Sequence, residues 1–328
     1  MYEIKGHHHI SMVTKNANKN NHFYKNVLGL RRVKMTVNQD DPSMYHLFYL
    51  HKINDPSMYH LFYGDKTGSP GTELTFFEIP LVGKTYRGTN AITRIGLLVP
   101  SEDSLHYWKE RFETFDVKHS EITTYANRPA LQFEDAEGLR LVLLVSNGEK
   151  VEHWETWEKS EVPAEHQIQG MGSVEMTVRR LDKMASTLTE MFGYTEVSRS
   201  EEEAIFQSIK GEAFGEIVVK YLDGPTEKPG RGSIHHLAIR VKNDAELAYW
   251  EEQVIQRGFQ SSGIIDRFYF KSLYFRESNG ILFEIATDGP GFTVDGDVEH
   301  LGEKLDLPPF LEDQRAEIEA NLVPIEEK

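Results

Sequence analysis

Along most of this chain the apolar residues recur at every second position, in short runs bounded by glycine, proline, asparagine or aspartate. Such alternation marks half-buried β-strands. The clearest are HHLAIRV at 235–241 and FEIATD at 283–288, and HHISMV near the N-terminus has the same character. Other stretches change period. SEDSLHYWKERF at 101–112 and NDAELAYWEEQV at 243–254 read as amphipathic helices, and they match one another, Leu105 opposite Leu247 and Trp108 opposite Trp250. EDAEGLRLVLLV matches RESNGILFEIAT in the same register of 142 residues, Gly138 opposite Gly280. Two separate matches in one register mean a duplicated unit of strand, helix and three strands.

A second register, of 164 residues, sets FYKNVLGLRRV against TEMFGYTEV and HHISMV against GSVEMTV. Gly29 and Gly193 then coincide, each after an apolar helical stripe, where a left-handed C-cap belongs. The pattern predicts an α+β fold of four βαβββ modules at about 4–87, 88–149, 167–224 and 230–290. They group as an N-terminal pair (1–149), a charged linker (150–166) and a C-terminal pair (167–290). A tail (291–328) carries two prolines and a short helical pattern, and should pack across the two halves. Trp108 and Trp250 are expected between helix and sheet.

One irregularity falls in the first module. DPSMYHLFY occurs at 41–49 and again at 55–63. The offset of 14 is even, so both copies would face alike in a strand. The second copy runs directly into GDKTGSPGTELTFF and is the expected strand, with the first bulging as a loop or edge hairpin.

Composition narrows the function. A net charge of −16 opposes a nucleic-acid partner, because phosphate binding needs a basic face. No apolar run approaches the roughly 18 residues of a membrane span. MYEIKGHHHIS has no signal-peptide core, so a cytoplasmic protein is expected. The HHH within it continues straight into a strand pattern and belongs to the fold. The absence of cysteine excludes disulfides, thiolate metal sites, Fe–S clusters and cysteine nucleophiles. A homo-oligomer is left open.

The chemistry is in the strands. Alternation points His236 and Glu284 into one concavity, and His9 has the same local setting. Two histidines and a carboxylate form the facial set that holds non-haem Fe(II) with open positions, and Mn(II) suits the same donors. Glu284 on an apolar strand would otherwise be a costly buried charge. The repeat registers put Arg94 and Val142 at the places of His236 and Glu284 in the second module. They put Ser173 at the place of His9 in the third, with Val219 on its last strand. Only the first and fourth modules keep the histidine, so a single site requires those two to pack together. Glu78 is a competing ligand, because TFFEIP resembles LFEIAT; with it the donor set would be that of glyoxalase-type isomerases. Its bland reading is a rim position. His7, Tyr59 and His60 are further candidates to line the cup.

The blocks HHIS, FYKNVLGLRRVK, YHLFYGD, GTELTFF, HHLAIRV, DRFYFKSLYFRE, LFEIATD and LGEKLDLPPFLE together resemble the vicinal oxygen chelate superfamily. Within it they are similar to ring-cleaving dioxygenases of the hydroquinone and chlorohydroquinone 1,2-dioxygenase type, over residues 4 to 325. HHIS or HHLA alone is common to all the superfamily's activities; the YHLFYGD block, the SLYFRE and LFEIATD run and the tail are more specific. The resemblance implies Fe(II) held by His9, His236 and Glu284, with His8 beside the ligands and Tyr274 and Arg267 around the substrate. Tyr274 and His8 are the expected catalytic acid–base or orienting groups, and Arg267 the group that steadies developing negative charge. It implies an aromatic diol and O2 as reactants, in quinone or aromatic detoxification, where a protein without thiols is at an advantage. Ser11 replaces a frequent threonine, and the 14-residue duplication puts the cup wall near His46 and His60 in doubt. Two alternatives remain at this level: a glyoxalase-type isomerase or lyase, which would need Glu78, and a non-enzymatic quinone- or drug-binding protein, in which the three residues would not converge.

Overall fold

The computed structural model of the protein describes residues 2–38 and 58–326. The first module comprises β1 (His7–Thr14), α1 (Ala17–Asn21) running on into a π-helical turn (His22–Val27), β2 (Arg31–Val37), β3 (Tyr59–Gly64) and β4 (Glu73–Glu78). The second comprises β5 (Ala91–Val99), α2 (Glu102–Thr114), β6 (Thr123–Tyr125), β7 (Arg128–Glu134) and β8 (Arg140–Val145). In the third, β9 (Met171–Val178) precedes α3 (Leu181–Ser186) with its π turn (Thr187–Met191), then β10 (Thr195–Arg199), β11 (Glu203–Gln207) and β12 (Glu216–Tyr221). The fourth has β13 (Ile234–Val241), α4 (Asp244–Gln256), β14 (Ile265–Asp266), β15 (Lys271–Arg276) and β16 (Leu282–Thr287). The tail ends in α5 (Arg315–Asn321).

The repeat extends to local chemistry. Ser101 and Asn243, equivalent in the 142-residue register, cap α2 and α4 by accepting from the backbone N–H groups of Ser104 and Glu246. Trp108 and Trp250 are buried where these helices meet the sheets. In the other pair of modules the last helical bond reaches five residues back, from Leu28 N–H to the Phe23 carbonyl (2.9 Å) and from Phe192 N–H to the Thr187 carbonyl (3.2 Å). Gly29 and Gly193 then leave the helix at φ 68° and 73°, the left-handed exit the sequence anticipates.

Among the described residues two eight-stranded sheets result, in the orders β14-β15-β16-β13-β1-β4-β3-β2 and β10-β11-β12-β9-β5-β8-β7-β6. The first and fourth modules join through the antiparallel pair β1·β13, as the distribution of histidines requires, and the second and third join through β5·β9. Each sequence half therefore contributes one module to each sheet. A large apolar core lies on the helix side of both sheets, and alternation leaves the other faces to form two cups, each with a smaller apolar cluster. In the first cup the second copy of the duplicated segment is a ladder strand: β3 lies between β2 and β4. The first copy, 41–49, lies outside the described residues.

The linker is tied down by contacts such as Glu155 N–H to the Asp65 carboxylate (3.0 Å) and the Ser160 hydroxyl to the Gly29 carbonyl (2.7 Å). The tail crosses both halves: Leu305 bridges to Met35 in the first module, and the Phe292 ring packs on Tyr269 in the fourth. Ile318 of α5 is buried in the main core. Among the described residues no helix is long and apolar enough to cross a membrane.

Candidate metal centre

β1 and β13 run side by side at the centre of the first sheet, and each carries a His-His dipeptide where the ladder shifts register. Such bulges re-aim side chains that regular alternation would send to opposite faces. His9 and His236 point into the cup, and Glu284 reaches it from β16, whose neighbour on the far side is β15. The Glu284 Oε2 atom lies 3.1 Å from His9 Nε2 and 2.8 Å from His236 Nε2, and the two ring nitrogens are 3.4 Å apart. All three side chains are buried. Despite these distances Glu284 Oε2 makes no well-directed hydrogen bond, which is the arrangement expected when three lone pairs face one centre rather than each other's protons. Burial pushes the Glu284 carboxyl up, and positive charge on the side of the His9 and His236 rings is what pulls it well below the usual range. Its other oxygen accepts the Ser272 hydroxyl from the adjacent strand.

The histidines are oriented from behind. His8 Nε2 is 3.0 Å from the Thr287 carbonyl, which can only accept, so this nitrogen carries the proton. Burial first, and the His9 ring second, push His8 down to about 3, so it is neutral and its Nδ1 is an acceptor. His9 Nδ1, 2.9 Å away, must then donate, which leaves the His9 Nε2 lone pair facing the centre. His235 stands to His236 as His8 stands to His9, with the two Nδ1 atoms 2.6 Å apart. Burial, then the His236 ring, holds His235 well below the ordinary histidine value.

Tyr274 is the direct cross-strand neighbour of Glu284, and its ring lies 5.7 Å from that of His236. The Arg267 guanidinium sits over the Tyr274 ring at 5.3 Å. His60 is sandwiched between Phe62 (4.1 Å) and Phe77 (4.2 Å), and its Nε2 is 3.3 Å from the Thr75 hydroxyl, which meets the Ser11 hydroxyl at 2.7 Å. Burial, then the His9 and His236 rings, keep His60 neutral. His8 and His9 also share a second carboxylate neighbour, Glu73. It is a poor donor: burial raises its carboxyl well above the usual range, and it stays 3.9 Å from His8 Nδ1.

Several sequence expectations change. Glu78 does not join the cluster. It lies on the helix side of β4, where its carboxylate accepts the Ala17 N–H at the start of α1 (2.8 Å). The strand register explains why its likeness to Glu284 in sequence is not an equivalence. Ala238, two residues beyond His236, pairs with Glu284, whereas Ser11, two beyond His9, pairs with Thr75. Thr75 is thus the counterpart of Glu284. The same count in the third module gives Val218, not Val219, which is packed in the helix-side core. Tyr59 also faces that core, and His7 turns to the Glu216 carbonyl (3.3 Å) and the Phe214 ring. His235, Ser272, Thr75 and the Phe270 ring, 5.1 Å from both His8 and His9, were not singled out from sequence. The repeated His-His dipeptide and the alternation of GTELTFF and KSLYFRE were the signals for the first three.

In the second cup, Glu175 takes the Thr93 hydroxyl (2.7 Å), the Tyr125 hydroxyl (3.0 Å) and the Lys220 ammonium (2.8 Å), with Arg94 at 3.9 Å. An ion-pair network stands where the first cup has His9, His236 and Glu284.

The family model of the Glyoxalase/Bleomycin resistance protein/Dioxygenase superfamily matches residues 6–143 and 170–285. A protein of Bacillus subtilis (strain 168) named "Putative ring-cleaving dioxygenase MhqA" is 48% identical over 330 residues, covering 99% of this chain and 100% of its own. A chlorohydroquinone/hydroquinone 1,2-dioxygenase of Sphingobium indicum is 28% identical, covering 96% of this chain and 95% of its own. The crystal structure of a "putative dioxygenase" from Bacillus subtilis superposes with a TM-score of 0.88 at 31% identity, covering 100% of this chain and 99% of that one.

Proposed function

The chain belongs to the Glyoxalase/Bleomycin resistance protein/Dioxygenase superfamily, and from that premise we propose that it is a metal-dependent ring-cleaving dioxygenase acting on a hydroquinone or related aromatic diol. The observation that carries the reading is the meeting of His9, His236 and Glu284 at 2.8–3.4 Å inside a buried cup. These three would hold Fe(II), and Mn(II) fits the same donors. When bound, the ion would make a coordinated diol hydroxyl more acidic and bring the ring and O2 together.

The protein's own groups would do the rest. His8 fixes the ring tautomer of His9, His235 meets the His236 ring from behind through the two Nδ1 atoms, and Ser272 fixes the carboxylate. His60 is a neutral imidazole on the ligand face; burial and the nearby rings oppose its protonation, so it would serve as a hydrogen-bonding group toward the diol. Thr75 and Ser11 continue this as a hydrogen-bonded chain that fixes the ring. Tyr274 can donate a hydrogen bond to the reacting oxygens, and Arg267 places positive charge beside them as negative charge develops. Phe62 and Phe77 wall the cup with apolar surface that suits an aromatic ring.

The isomerase reading loses the residue it needed, because Glu78 caps a helix. The sequestering reading predicted that the three residues would not converge. Loading the protein with Fe(II) without oxygen, then following O2 uptake with methylhydroquinone and with catechol, tests the proposal. Uptake with the hydroquinone is expected, and no uptake with any diol in protein shown to hold iron would overturn it.

A further inference from the structure

The tail motif LGEKLDLPP has no part in the metal chemistry, yet its approach segment packs into the cup beside the ligands. Phe292 and Leu301 of the tail join Val33, Phe62, Ala238, Tyr269, Phe270 and Ala286 in one buried cluster. Ala238 and Ala286 follow His236 and Glu284 by two strand positions and so share their face. The tail therefore fills one end of the metal-bearing cup.

Its anchor is Lys34 on β2, which has no accessible side-chain surface. The ammonium donates to Asp295 Oδ1 and Asp306 Oδ2, each at 2.9 Å, and lies 4.8 Å from the centroid of the Tyr269 ring. The Tyr269 hydroxyl donates to the other oxygen of Asp295 (2.9 Å). Arg32 Nε reaches the Gly302 carbonyl (2.9 Å), and Asp306 N–H the Met35 carbonyl (2.9 Å). A buried ion-pair network is a poor source of stability compared with apolar packing, but it is strict about geometry.

What this network holds is the segment 266–270, DRFYF, running from the end of β14 to the start of β15. Phe268 sits there at φ 70°, a left-handed conformation that an aromatic residue adopts only when its surroundings impose it. Around it, Arg267 is stacked on Tyr274, Tyr269 is fastened to Asp295 and Lys34, and Phe270 leans on His8 and His9. We propose that the tail is a positioning clamp: through Lys34, Asp295 and Tyr269 it sets the loop that aims Arg267 at the diol and braces the His9 ring. Lys34, Asp295 and Tyr269 are positioning residues, acting on the reaction through Arg267 and Phe270. The inference rests on the dioxygenase reading for its effect on turnover, and on geometry alone for its effect on the loop.

The test uses full-length Tyr269→Phe, which removes one hydroxyl and keeps the ring, with Lys34→Met as the stronger variant. Hydrogen exchange of 266–270 is read in the metal-loaded protein, together with metal content, kcat and KM for methylhydroquinone, and the Co(II) absorption of the substituted site. In Tyr269→Phe, losing a hydrogen bond to a charged group should speed exchange in 266–270 and lower kcat by about tenfold each. KM and one metal per chain should be retained. Exchange and kcat both unchanged in Tyr269→Phe would overturn the clamp, and so would faster exchange with kcat unchanged. If wild-type protein holding iron takes up no O2 with any diol, the dioxygenase reading fails by itself. The clamp is then judged by loop exchange and the Co(II) band: both altered sustains it, and either one unchanged overturns it. Should Lys34→Met not fold, Tyr269→Phe decides.

Discussion

Each histidine that faces the centre has another histidine immediately before it, and the pair shares its Nδ1 atoms. A lone imidazole could present either nitrogen. The neighbour removes that freedom, because a buried neutral ring with one nitrogen already donating has only an acceptor left to offer. His8 has such a fixed partner in the Thr287 carbonyl. Replacing His235 by Phe keeps an aromatic ring and removes the nitrogen behind His236. We expect metal affinity to fall by about 10–100-fold, the usual effect of losing a group that orients a ligand, with little change in thermal stability of the metal-free protein. Competition against a coloured chelator measures the first and a melting curve the second. An unchanged affinity would mean that strand geometry alone orients His236. Both dipeptides are plain in the sequence; the tautomer argument needs the Thr287 carbonyl, which arrives from 279 residues away in the chain.

Among the elements, register decides more than propensity does. The strands follow from alternation, and the helices from their apolar stripes and their Ser101 and Asn243 caps. Which residue of β4 is the counterpart of Glu284 is different, since Glu78 and Thr75 are equally compatible with a strand and lie on opposite faces. A shift of an odd number of residues exchanges the faces, and local sequence carries little against such a shift. The tail shows the same dependence. Gly302 has φ 74°, and a Cβ there would stand 1.8 Å from the Arg32 carbonyl oxygen. Gly302→Ala must displace the tail from β2, and should cost at least about 2 kcal/mol by backbone strain and lost contacts. The urea midpoint would fall accordingly, and a shift of less than about 0.5 kcal/mol would show that the tail is not seated as described.

For the whole molecule the decisive fact is that the sheets are built across the chain: the first module with the fourth, the second with the third. Residues 1–149 contain His9 alone of the proposed ligands, and residues 167–328 contain His236 and Glu284. Neither half expressed separately should hold metal as the full chain does, whereas the two produced together should restore one ion per pair. Metal analysis after gel filtration reads the result, and a half that retained a full equivalent would show that the site does not require the β1·β13 pairing.

The local code was sufficient for the four modules, their strands and helices, the vacant positions at Arg94, Val142 and Ser173, and the three residues that meet in the first cup. It was sufficient because alternation, helical spacing and duplication are properties of neighbours in the chain. The pairing of the first module with the fourth could be inferred only because both kept a histidine that needed a partner. Packing alone decided the rest. It turned Glu78 outward and Thr75 inward, set His60 between two phenylalanines, placed His235 behind His236 and drew Lys34 under the tail. Each of these depends on which strand lies beside which, and by how many residues it is offset, and that is fixed by contacts between positions far apart in sequence.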